Sequence, residues 1–215
     1  MLNFIGNYHG IEFILVSLAY ILVIVITLSL HEFAHAFVAY KSGDDTPKFQ
    51  GRVTINPLRH IDPVGLMCCA FFGFGWARPV QINPANFRNV KKGTAWTSSA
   101  GVIVNLILAF ISCGLYFIMA LLNPANYIVF FLQKFCYYMF FINVCLAVFN
   151  FLPIYPLDGF KFVENFTRYN NSYVNFMYRY GTFVLIGVLL FLDNVLINII
   201  NYIATPIVLF WSLIF

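Results

Sequence analysis

Residues 13–30 run for 18 positions without a charge and end directly on His31-Glu32-Phe33-Ala34-His35. An apolar run of about 18 to 20 residues is long enough to cross most of a bilayer as a helix. The four-residue spacing then puts both imidazoles on one helical face, where they can bind a single zinc ion. Glu32, beside them, can take a proton from a water that the metal activates. Ionisable groups at this depth are costly, so a functional site is the default reading. The plain alternative is an ordinary polar helix face, but lipid offers no water to solvate Glu32, and a bound metal would compensate its burial.

Composition supports the same setting. The chain is 61% hydrophobic and 9% charged, with 26 Phe and 13 Tyr. Soluble domains carry about a quarter charged residues, so this is a polytopic membrane protein. At 215 residues it holds one bundle, a single membrane-embedded domain over 1–215 with no separate soluble domain. The net charge of +4 reads as membrane topology and gives no reason to expect nucleic acid. The first apolar segment lacks a basic flank and runs straight into the metal motif, so it does not read as a removable signal peptide. Cys68, Cys69, Cys113, Cys136 and Cys145 lie in apolar stretches without C-x-x-C spacing, which fits buried free thiols and neither a disulfide framework nor a zinc knuckle.

The hydropathy pattern predicts an all-α bundle of about five spans with a short membrane-associated β or re-entrant insertion after the first. The first helix covers residues 11–40. Residues 44–59 are polar, β-compatible and broken by proline and glycine, whereas 63–76 is apolar but short and reads as partly inserted. Residues 78–92 are polar again. Spans follow at 95–122 and 127–152, joined by Asn123-Pro124-Ala125-Asn126. A partly helical loop at 155–175 leads to closing segments 178–192 and 195–215, which meet at Asp193-Asn194. If 63–76 does not cross, 11 of the 12 Lys and Arg share one side of the membrane, Lys134 being the exception. Cytoplasmic loops are enriched in these residues, so the inner end of the first helix faces the cytoplasm and the bilayer is a cell membrane.

Two histidines leave a catalytic zinc one protein ligand short. Asp158, in Asn150-Phe151-Leu152-Pro153-Ile154-Tyr155-Pro156-Leu157-Asp158-Gly159, is the candidate third. It ends a proline-broken segment that returns to the depth of His31 and His35, and broken backbone there is tolerated only against protein or a wet cavity. Zn²⁺ with two neutral imidazoles and one carboxylate leaves a single positive charge, which Glu32 offsets. A helix cap in a turn is an equally good reading of Asp158 taken alone.

These motifs resemble the site-2 protease family of intramembrane zinc metalloproteases. Residues 30–40 look like its zinc-motif helix, and 149–159 look like its F-N-L-L-P-x-x-P-L-D-G signature. Gly51-Arg52-Val53-Thr54-Ile55-Asn56-Pro57, His60-Ile61-Asp62-Pro63, Ala77-Arg78-Pro79-Val80 and Asn83-Pro84 resemble a small prokaryotic branch without PDZ or CBS appendages. The resemblance implies one zinc per chain held by His31, His35 and Asp158, with Glu32 as general base. It implies membrane protein or peptide substrates, cleaved in or near their transmembrane segments after local unwinding. Two departures stand out. Ala100-Gly101-Val102-Ile103-Val104-Asn105 lacks the family's proline, and Phe151 and Tyr155 replace the common Leu and Pro.

Asn105 and Asn150 are implied to line the active cleft, where amides could hold a substrate backbone or the developing oxyanion; polar glue between helices is the alternative. Residues 73–84 could offer a strand edge to substrate or serve as a plain connector. His60 and Asp62 read as loop-forming, and His9 as an exposed N-terminal residue. A non-catalytic membrane protein, either a metal transporter or an inactive relative that binds clients, is the rival function. The intact Glu32 argues against the inactive relative, and the scarcity of acidic and His residues in later spans argues against transport.

Overall fold

In the computed structural model, residues 8–72, 75–123, 125–168 and 170–215 are described, without the side chains of 69–72. Gly73 of the expected strand edge, Pro124 of the expected turn and the Cys69 side chain lie outside the described residues. Helix α1 spans Ile11–Ser42. It stops at Gly43, whose φ of 116° lies in the left-handed region, and the amides of Gly43 and Asp44 satisfy the carbonyls of Tyr40 and Ala39. A Cβ at position 43 would also press to 3.0 Å from the Asn86 carbonyl oxygen, so glycine is needed there twice over.

The segment after α1 departs from the expected β insertion. Helix α2 is the single turn Thr46–Phe49, and helix α3 is Pro63–Phe72, with 3₁₀ turns at Pro57–Arg59 and Pro84–Asn86. Among the described residues there is no strand, only one antiparallel bridge between Ile61 and Ala77. The reason is local. Prolines 57, 63, 79 and 84 have no N–H for a ladder. Asn56, Asp62 and Asn83 each turn their side-chain oxygen onto a backbone amide two or three residues ahead, closing turns rather than extending strands.

Three long helices form the body: α1, α4 at Val90–Ala120 and α5 at Tyr127–Phe151. Asn89 and Asn126 cap α4 and α5 through the amides of Lys92 and Ile128. Val16, Ala19 and Val23 of α1 pack against Tyr138 and Met139 of α5, and Ala109 of α4 joins Val144 and Val148 of α5. Helix α6 (Asp158–Phe166) follows the proline-broken turn, and α7 (Ser172–Phe191) and α8 (Asp193–Ser212) close the chain. The Trp211 indole of α8 donates to the Phe110 carbonyl of α4 at 2.9 Å, and Tyr178 of α7 donates to Glu164 of α6 at 2.7 Å.

Among the described residues the protein is therefore all-helical, with five helices long and apolar enough to cross a membrane: α1, α4, α5, α7 and α8. Helix α8 has no buried residue, and Phe183, Phe191 and Tyr202 stand more than 70% exposed. Apolar surface on that scale requires lipid as its solvent. About 20 residues of helix cross the hydrocarbon, a length that reaches from Ile11 to about His31.

Candidate metal centre

The centre is built where the C-terminal part of α1 meets the outset of α4 and the first residue of α6. His31 and His35 lie one turn apart on α1, both 6% exposed. Asp158 is 7% exposed and opens α6, where the unpaired amides of a helix start favour a carboxylate. The turn at 152–157 delivers it there. Gly159 next to it tolerates no side chain, because a Cβ would come to 2.5 Å from the Leu152 carbonyl oxygen.

Three ligand-type atoms converge. His35 Nε2 lies 2.9 Å from Asp158 Oδ2 and 3.0 Å from His31 Nε2, and His31 Nε2 lies 3.3 Å from Asp158 Oδ2. His35 Nδ1 is 2.7 Å from the Thr97 carbonyl oxygen, which can only accept, so Nδ1 carries the proton. In the neutral ring Nε2 is then a bare lone pair, so a proton on His31 Nε2 or a cation among the three atoms has to satisfy it. Tetrahedral zinc, with bonds of about 2.0 to 2.1 Å, separates its ligand atoms by roughly 3.3 Å, close to this spacing. The donor set fits zinc. The bond from His35 to Thr97 is also the outer contact that orients a metal-bound imidazole.

Burial pushes the Asp158 carboxyl upward, but the two imidazoles and Lys161 outweigh it and hold it well below the usual carboxylate range. It is therefore ionised at neutral pH, the state in which a carboxylate can bind a metal. Lys161 Nζ reaches Asp158 Oδ1 at 3.2 Å from a largely exposed position.

Glu32 is half-buried beside this cluster, and its Oε2 accepts a hydrogen bond from the Val80 amide at 3.1 Å. A cavity of about 340 Å³ opens here, lined among others by Glu32, His35, Val80, Thr97, Asp158 and Lys161. Residues 79–84 form its roof. They are held down by Asp44, a fully buried carboxylate at the end of α1 that accepts from the Asn83 amide at 2.7 Å and the Asn86 side chain at 2.8 Å.

Asn105 is wholly buried in α4, and Asn150 is half-buried with its Nδ2 on the Leu146 carbonyl of its own helix; neither is among the cavity-lining residues. His60 is buried and bonds the Thr54 carbonyl at 2.7 Å, while Asp62 caps the start of α3, so both shape the loop. His9 is exposed. Cys68, Cys113, Cys136 and Cys145 are free thiols.

Sequence reasoning missed Thr97, Val80, Lys161, Asp44 and Gly101. Gly101 matters most: a Cβ there would stand 2.6 Å from both ring nitrogens of His31. Only its place in the quoted Ala100–Asn105 motif hinted at it.

Comparison with known proteins places this geometry. The pattern of Peptidase family M50 matches residues 118–192, a stretch that includes Asp158. The chain is 40% identical over 147 residues to "Putative zinc metalloprotease YwhC" of Bacillus subtilis, covering 67% of each chain. It is 31% identical over 163 residues to "Putative zinc metalloprotease Rip2" of Mycolicibacterium smegmatis, covering 74% of this chain and 59% of that one. The Mycobacterium tuberculosis protein of the same name is 29% identical, and 55% of it is covered. No solved structure matches the chain significantly.

Proposed function

The chain belongs to peptidase family M50, the site-2 protease group, and on that premise we propose that it is a zinc endopeptidase cutting peptide bonds in or near membrane-spanning segments. The observation that carries this reading is the approach of His31 Nε2, His35 Nε2 and Asp158 Oδ2 to within 3.3 Å of one another, beside a cavity that Glu32 also lines. His31, His35 and Asp158 would hold one zinc per chain, which would supply Lewis acidity toward a peptide carbonyl and a lowered pKa for water at the site.

The protein's own groups do the rest. Glu32 takes a proton from the attacking water on a carboxylate oxygen and returns it to the leaving amine. The Val80 amide holds Oε2, leaving Oε1 for that exchange. Thr97 fixes the His35 ring so that Nε2 faces inward. Residues 79–83 lie along the cavity outside any helix, a segment against which an unwound substrate can lie. Unwinding is required because helical carbonyls are engaged by their own i→i−4 bonds. The substrates are membrane proteins or peptides. The one-sided distribution of Lys and Arg supports a cell-membrane location with the site toward the cytoplasm.

The test compares Glu32→Gln and Asp158→Ala with the parent in detergent, measuring zinc content and turnover of a transmembrane peptide. Glu32→Gln should keep zinc and lose about 10²–10⁴ in turnover. Asp158→Ala should lose most of its zinc. Near-native cleavage by Glu32→Gln, or full zinc in Asp158→Ala, would refute the assignment.

A further inference from the structure

Helices α1 and α4 meet in a regular antiparallel register. His35 bonds to Thr97, and one turn on, the His31 ring lies against Gly101. Continued by one turn on each helix, that register pairs Thr27 with Asn105. Both are 0% exposed. Asn143 of α5, also 0% exposed, donates its Nδ2 to Thr27 Oγ1 at 2.9 Å and to the Met139 carbonyl at 2.7 Å. Three helices thus bring polar side chains to one level, just deeper in the membrane than His31.

That level holds an unmet set of hydrogen-bonding groups. Among the described residues, His31 Nδ1, Asn105 Nδ2, Asn105 Oδ1 and Asn143 Oδ1 are buried without a partner. Polar atoms with no partner are rarely left in a protein interior, and least of all at membrane depth. The four are also complementary. With His31 Nε2 committed to a cation, its Nδ1 carries a proton to donate, and the Asn105 amide nitrogen donates too. Asn105 Oδ1 and Asn143 Oδ1 accept. Helical side chains lean toward the N-terminus, so Asn105 leans over Gly101, where the missing side chain leaves room for the His31 ring. A site lined by two to four polar groups is where a protein keeps internal water.

We infer that Asn105 is a positioning residue: with Asn143, Thr27 and internal water it takes up the His31 Nδ1 proton and so holds Nε2 on the metal. His31 thereby gains the outer partner that His35 has in Thr97. This differs from a place in the substrate cleft, and it rests on the zinc-site reading above.

The experiment uses the full chain in detergent micelles and measures zinc affinity by chelator competition at fixed pH. Asn105→Leu keeps the side chain's size and removes its polar atoms. It should bind zinc about 10- to 100-fold more weakly than the parent, the usual effect of losing an outer-shell partner. Asn143→Leu should also weaken binding, and the double variant should lose less than the two singles combined, because both act through one network. Ser112→Ala, deeper on α4 and bonded only to its own helix, should stay within about twofold. An Asn105→Leu protein with parental zinc affinity and lost turnover would overturn the inference and return Asn105 to the substrate.

If Asn105→Leu does not fold, ring-¹⁵N NMR of the zinc-loaded parent decides. A slowly exchanging proton on His31 Nδ1 supports the inference; a proton on Nε2 refutes it. A parent that binds no zinc refutes the metal-centre reading itself, and the positioning role falls with it.

Discussion

Replacing Gly101 with Ala adds one methyl group, and the structure says where it goes. The new Cβ would stand 2.6 Å from Nδ1 and Nε2 of His31, whereas ordinary contact begins at 3.4 Å. His31 Cε1 is closer still, so the ring or the α4 backbone must retreat by more than about 0.8 Å to restore contact. Retreat of α4 is resisted because Thr97, Ala100, Gly101 and Asn105 are all buried, with α1 against this stretch. The ring is the part that gives. Metal–ligand distances tolerate only about 0.2 Å, so a shift of this size removes His31 from a zinc held by His35 and Asp158. Misplacement by about 1 Å also costs roughly 10²-fold in rate where reacting groups must align. Gly101→Ala should thus fold, since alanine favours the helix over glycine, yet bind zinc at least 10-fold more weakly and cleave at least 100-fold more slowly. Helicity by circular dichroism, chelator competition and turnover of a transmembrane peptide measure the three quantities. A Gly101→Ala protein with zinc affinity and turnover both within threefold of the parent would refute the argument, because the His31 site would then tolerate the full displacement.

Two further outcomes concern the roof and the topology. Burial pushes the Asp44 carboxyl upward, but hydrogen bonds from Thr46, Asn83 and Asn86 outweigh it and hold it below its ordinary value. A depressed folded-state pKa contributes stability that is complete above the unfolded value of about 3.9 and is lost as pH falls through the folded one. The hydrogen-exchange protection factors of residues 80–88 should therefore be alike at pH 7 and pH 5 and fall below about pH 4, whereas Asp44→Ala should lower them about 10-fold or more already at pH 7. Protection that fades between pH 7 and 5, or survives Asp44→Ala, would show that another contact holds the roof. For topology, single cysteines at positions 48 and 161, in a background without native thiols, should react with an impermeant reagent only from the cytoplasmic side; labelling from outside alone would invert the orientation.

Much of this protein was legible in one dimension. Lipid demands apolar length and internal backbone hydrogen bonding, so the five helices follow from runs of uncharged residues, within a few positions at most ends. The four-residue spacing of His31 and His35 needs only a helix to become a pair of ligands on one face. The β insertion was not legible, because extended-looking polar residues between prolines can close turns with their own side chains as easily as they can pair. Asn56, Asp62 and Asn83 do so here. Asp158 stood between ligand and cap in the sequence; folding brings its Oδ2 to 2.9 Å from His35 while it also opens a helix.

What only the tertiary structure decided are the approaches between distant helices. Hydropathy and spacing report what each segment presents along its own axis, and they carry no information about which turn of one helix lies against which turn of another. That register is set by side-chain volume across the α1–α4 contact, where a glycine admits an imidazole and a carbonyl meets a ring nitrogen. From it follow Thr97 behind His35, Gly101 under His31 and Asn105 beyond them. In the same way the buried Asp44 draws residues 83–86 over the cavity from 39 positions away, and the Val80 amide reaches Glu32 across 48. The candidate ligands were written in the chain; their geometry depends on how closely the helices can pack.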